Sequence, residues 1–307
     1  MPAGAQVWTL GGITFHPRGD VRDANGVQWI LTKEQGFWGA PKTNAQFSAR
    51  LQRHGAWRSP GWKTQRTITL TGRCYAMGYA ALRRAESTVL ALLSDPTTPA
   101  TLTCYSEIGP LSVDVFLDAD TTCTPLDVVS EPGVEFSLQV VAPDPRKYSP
   151  DWITMQASLP VDSGDGLDFL QVVSGDTGLY FGTGSGDGLV FGTSNSTGYM
   201  QLSTVGTAPS YPIFTLYGPL TNPTLTASDG NTLRYNGTLA DGEYVEIDTG
   251  TPSVVFGGYD QRRQLLYPAK YESFAIPAGG MVSVGLSHSG AASATGHVQA
   301  RYRTAWF

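Results

Sequence analysis

The 307-residue sequence predicts a mainly β protein of two domains: an N-terminal β-sandwich or barrel with one packed α-helix, then a C-terminal β-sandwich of jelly-roll type. Three observations lead there. Short runs of alternating apolar and polar residues recur between turn dipeptides. Only one segment carries helical periodicity. The 36 Gly and 20 Pro interrupt the chain too often for long helices, while 7 Trp, 14 Tyr and 12 Phe supply ample bulk for packed cores and argue against disorder.

In the first domain, residues 7–10 read as a strand stopped by Gly11-Gly12, and 27–31 as a strand entered through the hairpin pair Asn25-Gly26. Residues 35–63 are polar, basic and aromatic without clear periodicity, a connection long enough to be functional or interfacial. Residues 66–72 alternate as a half-buried strand. The helix runs from Tyr79 to about Ser94, with Tyr79, Leu82, Ala85, Val89, Leu90, Leu92 and Leu93 on its apolar stripe. Arg83, Arg84, Glu86 and Ser87 fill the opposite face, and Asp95-Pro96 stops the helix. Strands follow at 100–105, 111–117 and 135–141. Pro143, Pro145 and Pro150 then stiffen an extended linker, which sets the domains at 1–148 and 149–307.

The second domain opens on a repeat. Gly164-Asp165, Gly175-Asp176 and Gly186-Asp187 recur every 11 residues, each followed by a Leu and an aromatic, within an insertion at about 160–195. The pattern reads as short hairpin-like units or as a ladder added to a sheet edge. One Asp per unit supplies too few oxygens for a calcium site. The remainder is β throughout: strands at 212–219, 222–226, 244–248, 253–257, 276–284 and 299–306, with turns at Asp229-Gly230, Asn236-Gly237 and Asp241-Gly242.

Charge and chemistry narrow the function classes. Only 15% of residues are charged and the net charge is −6, which argues against a general nucleic-acid binder. The distribution is uneven. Residues 35–85 contain no Asp or Glu but nine basic residues, leaving 11 basic against 26 acidic residues elsewhere, a net −15. Such segments attract each other between subunits. Arg50, Arg53, Trp57, Arg58, Trp62 and Lys63 are therefore the candidate subunit-interface residues, since Arg and Trp anchor assembly interfaces. Trp38, Trp57 and Trp62 amid cations also fit base stacking, the rival reading.

Cys74, Cys104 and Cys123 are odd in number and lack metal-ligand spacing, so buried reduced thiols are expected, with no metal and no cofactor. His16, His54, His288 and His297 form no ligating pair, and no nucleophile elbow or phosphate loop precedes a helix. Asp118, Asp120 and Asp127 are the nearest thing to a carboxylate cluster. No catalytic residue is assigned and the chain is not expected to be an enzyme. Residues 1–5 lack the basic and apolar regions of a signal peptide, and no apolar run spans a membrane.

Three segments carry a specific resemblance: Gly218-Pro219-Leu220-Thr221-Asn222-Pro223; Gly237 through Gly242-Glu243-Tyr244-Val245-Glu246-Ile247-Asp248-Thr249; and Ile276-Pro277-Ala278-Gly279. In this order they resemble the galectin-like C-terminal domain of siphophage distal tail proteins. Ala278 is a mild departure from the family pattern, and the Gly-Asp repeat is an addition to it. The first 148 residues, ending in Pro145-Arg146-Lys147-Tyr148, are similar to that family's tail-tube-like ring domain. The resemblance implies a homo-oligomer, a hexameric ring in the tail tip or baseplate of the virion, joining the tail tube protein to other tail-tip proteins, with the second domain outward. It implies synthesis in the host cytoplasm, no membrane, and no nucleic acid apart from DNA passing through the lumen. The alternative is a carbohydrate-binding module for host-surface adhesion, with Tyr211, Tyr259, Tyr267 and Tyr271 as stacking candidates.

Overall fold

A computed structural model describes residues 6–126, 131–160, 198–290 and 295–307; the Gly-Asp repeat and Asp127 lie outside the described residues. The protein is mainly β, as its alternation predicts. Met1–Asp151 together with Thr304–Phe307 form one compact unit, and Trp152–Arg303 form a second.

The first unit contains β1 (Val7–Leu10), β2 (Ile13–Phe15), β3 (Val27–Gln35), β4 (Thr43–Asn44), β5 (Phe47–Ala49), β6 (Ala56–Arg58), β7 (Trp62–Lys63), β8 (Arg66–Ala76), α1 (Tyr79–Ala91), β9 (Ala100–Ser106), β10 (Gly109–Leu117), β11 (Thr122–Leu126), β12 (Gly133–Ala142) and β13 (Lys147–Tyr148). The main sheet runs β2-β1-β9-β10-β12-β8-β3. A parallel bridge between His16 and Ile30 brings its two ends together. Strict alternation aims one side of each strand inward: Val27, Trp29 and Leu31 from β3, Ile68 and Leu70 from β8, Val134, Phe136, Leu138 and Val140 from β12. Phe15, Trp29 and Phe136 meet there in edge-on and tilted pairs.

Helix α1 covers this core with Leu82, Ala85 and Val89. Tyr79 and Leu90, expected on the apolar stripe, are exposed instead. A seven-member stripe is wider than the line along which one helix touches one sheet, so its flanks stay in solvent. The helix closes earlier than expected because Leu93 turns left-handed at φ 59 before Asp95 caps Thr97 and Thr98. Cys74 and Cys104 are buried and Cys123 half-buried, all three as free thiols. Burial pushes Cys74 and Cys104 up to about 12.

The second unit contains β14 (Ile153–Ser158), β15 (Tyr199–Ser203), β16 (Ile213–Tyr217), β17 (Leu220–Thr221), β18 (Thr224–Ala227), β19 (Thr232–Arg234), β20 (Thr238–Leu239), β21 (Tyr244–Asp248), β22 (Ser253–Phe256), β23 (Asp260–Gln261), β24 (Met281–Ser287) and β25 (His297–Tyr302). A six-stranded sheet, β14-β25-β16-β21-β22-β23, and a four-stranded sheet, β15-β24-β18-β19, share one core. Phe214, Ile247 and Val298 contribute from the first, and Leu202, Val284 and Leu225 from the second. The Tyr302 hydroxyl donates to the Ser203 carbonyl at 2.9 Å and accepts from the Ser203 amide at 3.1 Å, tying the sheets together. Gly218, in the first of the resemblance segments, has no room for a side chain, because a Cβ there would lie 2.0 Å from the Ala240 carbonyl oxygen. The run expected as one strand at 276–284 is broken by a turn at Pro277–Gly280, where Gly279 has φ 60 and Gly280 donates to the Pro277 carbonyl.

The chain leaves the first unit after Asp151, and its last residues return to it. Strand β26 (Ala305–Trp306) pairs antiparallel with β13, and the Ser149 amide donates to the Thr304 carbonyl at 3.0 Å. Alternation alone does not distinguish a strand of one unit from a strand of the other. Removing residues 304–307 should therefore destabilise the first unit, by about 2–4 kcal/mol from lost ladder bonds and exposed core. Amide hydrogen exchange should speed up in β13 and β10, not in the second unit; unchanged exchange there would contradict the pairing.

Candidate assembly interface

Strands β3 and β8 are antiparallel neighbours, and the 30 residues between them form an arm. The segment that looks aperiodic in sequence folds into two short ribbons in series. Thr43 pairs with Lys63 and Asn44 with Trp62, then Phe47 with Arg58, Ser48 with Trp57 and Ala49 with Ala56. Single backbone bonds continue the ladder: Thr64 to Lys42, Ser59 to Gln46 and Arg50 to Gly55. The break around Pro60-Gly61 hides the alternation, because it shifts the face on which side chains emerge.

The arm buries almost none of its own side chains. Trp57 is 66% exposed, Trp62 69% and Phe47 69%, and Leu51 at the tip is fully exposed. Trp57 carries the Arg50 guanidinium over its ring at 4.4 Å, on the ribbon face opposite Phe47 and Arg58. Arg53 lies in the tip turn. Lys63 reaches back, donating to Thr43 Oγ1 at 3.0 Å, and stands on the face opposite Trp62. The structure thus pairs Arg50 with Trp57 and spreads Arg53, Arg58, Trp62 and Lys63 along both faces. Among the described residues, none of Lys42, Arg50, Arg53, Arg58 or Lys63 forms a salt bridge. Sequence reasoning missed Phe47 and Leu51. The signal was there in Phe47-Ser48-Ala49 mirrored by Ala56-Trp57-Arg58 around Gly55.

The root of the arm is built quite differently. Arg66, only 2% exposed, donates through Nη1 to the carbonyls of Gly36, Phe37 and Gly39 and through Nε to that of Pro145. Gly36 sits at φ 106 with its would-be Cβ 2.1 Å from the Thr67 carbonyl oxygen, so only glycine fits there. Phe37 is wholly buried, edge-on to Trp8 at 4.8 Å and to Trp38 at 5.3 Å. Trp38, a stacking candidate from the sequence, belongs to this root, with its Nε1 donating to Gln6. Buried Lys147 lies 5.5 Å from the Phe37 ring and 5.2 Å from that of Trp38. Burial, then the Arg66 charge, lowers Lys147 to about 8. Burial raises Glu34, although the Phe37 amide donates to its carboxylate.

Other candidate groups stay apart. Asp118 accepts from Gln139 and Asp120 is exposed. His297 begins β25 and stacks on Tyr217 at 4.7 Å. The Gly- and Ser-rich run before it masks the strand that follows. Tyr271, a sugar-stacking candidate, is a core residue, while Tyr259 and Tyr267 stand exposed on separate turns. A cavity of about 820 Å³ lies beside α1. Several of its polar groups are engaged: Trp29 Nε1 donates to Asp23, and Arg22 pairs with Glu131. Among the described residues, no group of three or more His, Cys, Asp or Glu is placed to hold a metal, and no helix is long and apolar enough to cross a membrane.

Comparison with known proteins gives the fold a context. No protein-family model matches the sequence, and no curated protein matches it. The crystal structure of the SPP1 Dit protein, described as a paradigm of the hub adsorption apparatus in phages infecting Gram-positive bacteria, is similar over 98% of this chain and 99% of that one. The TM-score is 0.61 and the identity 10%, which establishes a shared fold. Two structures of the phage P2 baseplate in its activated conformation, with calcium and with strontium, align over 96% of this chain and 97% of theirs, at 13% identity and TM-scores of 0.47 and 0.46.

The buried root yields a pH prediction. Lys147 is held below its ordinary 10.5, so between about pH 8 and 10.5 the folded chain binds fewer protons than the unfolded one, and stability rises with pH across that window. From pH 7 to 10 the wild type should gain up to about 3 kcal/mol relative to Lys147→Met. Urea denaturation at stepped pH measures this; a difference independent of pH would contradict a depressed Lys147.

Proposed function

We propose that this chain is a structural protein of a phage tail tip, a hub ring assembled from copies of itself that joins the tail tube to the other tail-tip proteins in the virion. The observation that carries the reading is the arm. A two-stranded ribbon is marginal in water on its own, and this one spends its large aromatics on solvent. An exposed set of Trp, Phe and Arg without anionic partners has the composition of an interface anchor. Burying each large aromatic against a partner is worth about 1.5–3 kcal/mol. The net −15 outside residues 35–85 supplies the complementary charge on a second copy.

A heterologous contact of this kind, an arm on one copy against a different surface on the next, closes into a ring when the rotation permits. The shared fold with a phage hub protein agrees with that outcome, and the sixfold number rests on the family resemblance alone. In this reading the first unit forms the ring, and the role is structural and not catalytic. Nucleic acid meets the assembly only as DNA crossing the lumen.

Light scattering with negative-stain imaging tests it. The wild type should form rings near six chain masses. The triple change Arg50→Glu, Arg53→Glu, Arg58→Glu should give monomers that keep the wild-type far-UV circular dichroism spectrum, because none of these side chains is packed in a core. Rings that persist in the triple variant would remove the arm from the interface. A wild type that is monomeric at every concentration would sink the proposal.

A further inference from the structure

The outer face of the four-stranded sheet in the second unit has a composition that its own stability does not require. Its inner face is core: Met200, Leu202, Val284 and Leu225 are buried. The register places the outward residues in rows. Tyr199 opposes Gly285, Gly285 opposes Thr226, and Thr226 opposes Thr232. Beside that row stand Gln201 and Ser283, with Ser203 and Met281 beyond them; on the other side, Ser287 opposes Thr224. The charged residue among these rows is Arg234, at a corner against Thr224. Edge strands are ordinarily blunted by charged side chains, and the edge strand β15 carries none, although the chain holds 26 acidic residues.

Tyr199 is laid across the sheet. A Cβ built on Gly285 would lie 2.6, 2.9 and 3.1 Å from Cε1, Cδ1 and Cζ of its ring, so the ring spans the glycine. Gly285 itself is buried beneath it, while Tyr199 remains 63% exposed. One side of the ring therefore rests on backbone and the other is offered to solvent. Glycine opposite an aromatic is the arrangement that lets a ring lie down on a strand. Around this platform the side chains of Gln201, Ser283, Thr226 and Thr232 make no hydrogen bond among the described residues, leaving donors and acceptors free to turn outward.

We propose that this face is a binding site for a neutral saccharide, centred on Tyr199. A pyranose presents an apolar C–H side and a rim of hydroxyls. The first matches an exposed aromatic face; the second matches hydroxyl and amide side chains that both donate and accept. The near absence of charge selects against nucleic acid and against acidic polymers. A protein partner would call for a larger apolar centre than one tyrosine with Met281 at the margin. The inference stands on the second unit's own geometry and does not depend on the ring assembly.

The test uses the full chain and a panel of neutral gluco-, galacto- and manno-oligosaccharides, tetra- to hexasaccharides, with oligogalacturonate as the charged counter-probe, read by titration calorimetry. At least one neutral series should bind with a Kd at or below about 1 mM. Tyr199→Ala should weaken it at least about tenfold, whereas Tyr199→Phe, which keeps the platform, should stay within about threefold. Tyr259→Ala, an exposed tyrosine elsewhere on the unit, should leave it unchanged. If Tyr199→Ala does not fold, Thr226→Asp, a charge placed beside the platform, should give the same loss. No binding of any neutral probe at about 10 mM would overturn the proposal. Binding insensitive to Tyr199 and Thr226 changes, or preference for oligogalacturonate, would do so equally. A Tyr199 variant that alters oligomeric state while no saccharide binds would reassign the face to a subunit contact.

Discussion

Arg66 holds the arm to the barrel. It is a guanidinium with 2% exposure that donates to the carbonyl oxygens of Gly36, Phe37, Gly39 and Pro145. Burying a cation without compensation costs several kcal/mol, so those carbonyls are the condition under which Arg66 can be there at all. The dependence is mutual. Gly36, Phe37 and Gly39 lie where the chain leaves the sheet, and their carbonyls find their acceptor role in Arg66 instead of a ladder. Pro145, which donates nothing through its own nitrogen, is drawn to the same guanidinium from the segment preceding β13. One side chain thus fixes the exit of the arm and the approach of the strand that receives the chain's C-terminal residues.

The electrostatics around it explain why the root is apolar as well as charged. Lys147 and Arg66 are two cations near one carboxylate, Glu34, and burial disfavours the charged form of all three. The Phe37 and Trp38 rings facing Lys147 ease this, since an aromatic face attracts a cation without the desolvation cost of a second carboxylate. The same Phe37 packs on Trp8 in the core. The root is therefore stabilised from within the subunit, whereas the ribbon beyond it has only its ladder and the stack of Arg50 on Trp57. A firm base with an unsupported end is what an arm needs if its order is completed by a partner: the direction is set before contact, which lowers the entropy lost on binding.

How much of this was legible in the sequence follows from where each signal lives. Alternation placed β8, β10 and β12 well because one face of each meets a core, and the apolar stripe with Asp95-Pro96 placed α1 to within a few residues. The arm's charge and Trp content were visible, but its ribbons were not, since a strand exposed on both faces has no reason to alternate in polarity. Arg66 and Lys147 read as surface cations in a basic stretch and a linker; only tertiary placement makes them buried. Tyr199 was hidden for a similar reason. Its partner Gly285 lies 86 residues away, and what turns a lone tyrosine into a platform is the register between β15 and β24.

The two surfaces proposed here as binding faces share a physical mark: each carries a composition that the folding of its own unit does not call for. Core positions answer to packing, and packing is what a shared fold at 10% identity preserves. Surfaces answer to what they touch. On the arm, guanidinium groups with no carboxylate partner among the described residues stand beside indoles largely open to water, so a partner that is acidic and partly apolar suits both at once. On the small sheet, charge is withheld and an aromatic ring is seated on glycine, which favours a partner that is neutral and covered with hydroxyls. The contrast in charge separates the occupants. A ligand suited to the arm, anionic and extended, gains little on the sheet face, and a neutral saccharide gains little on the arm. Two chemically distinct surfaces on one chain are what a component needs if it joins its own kind at one site and touches something else at another.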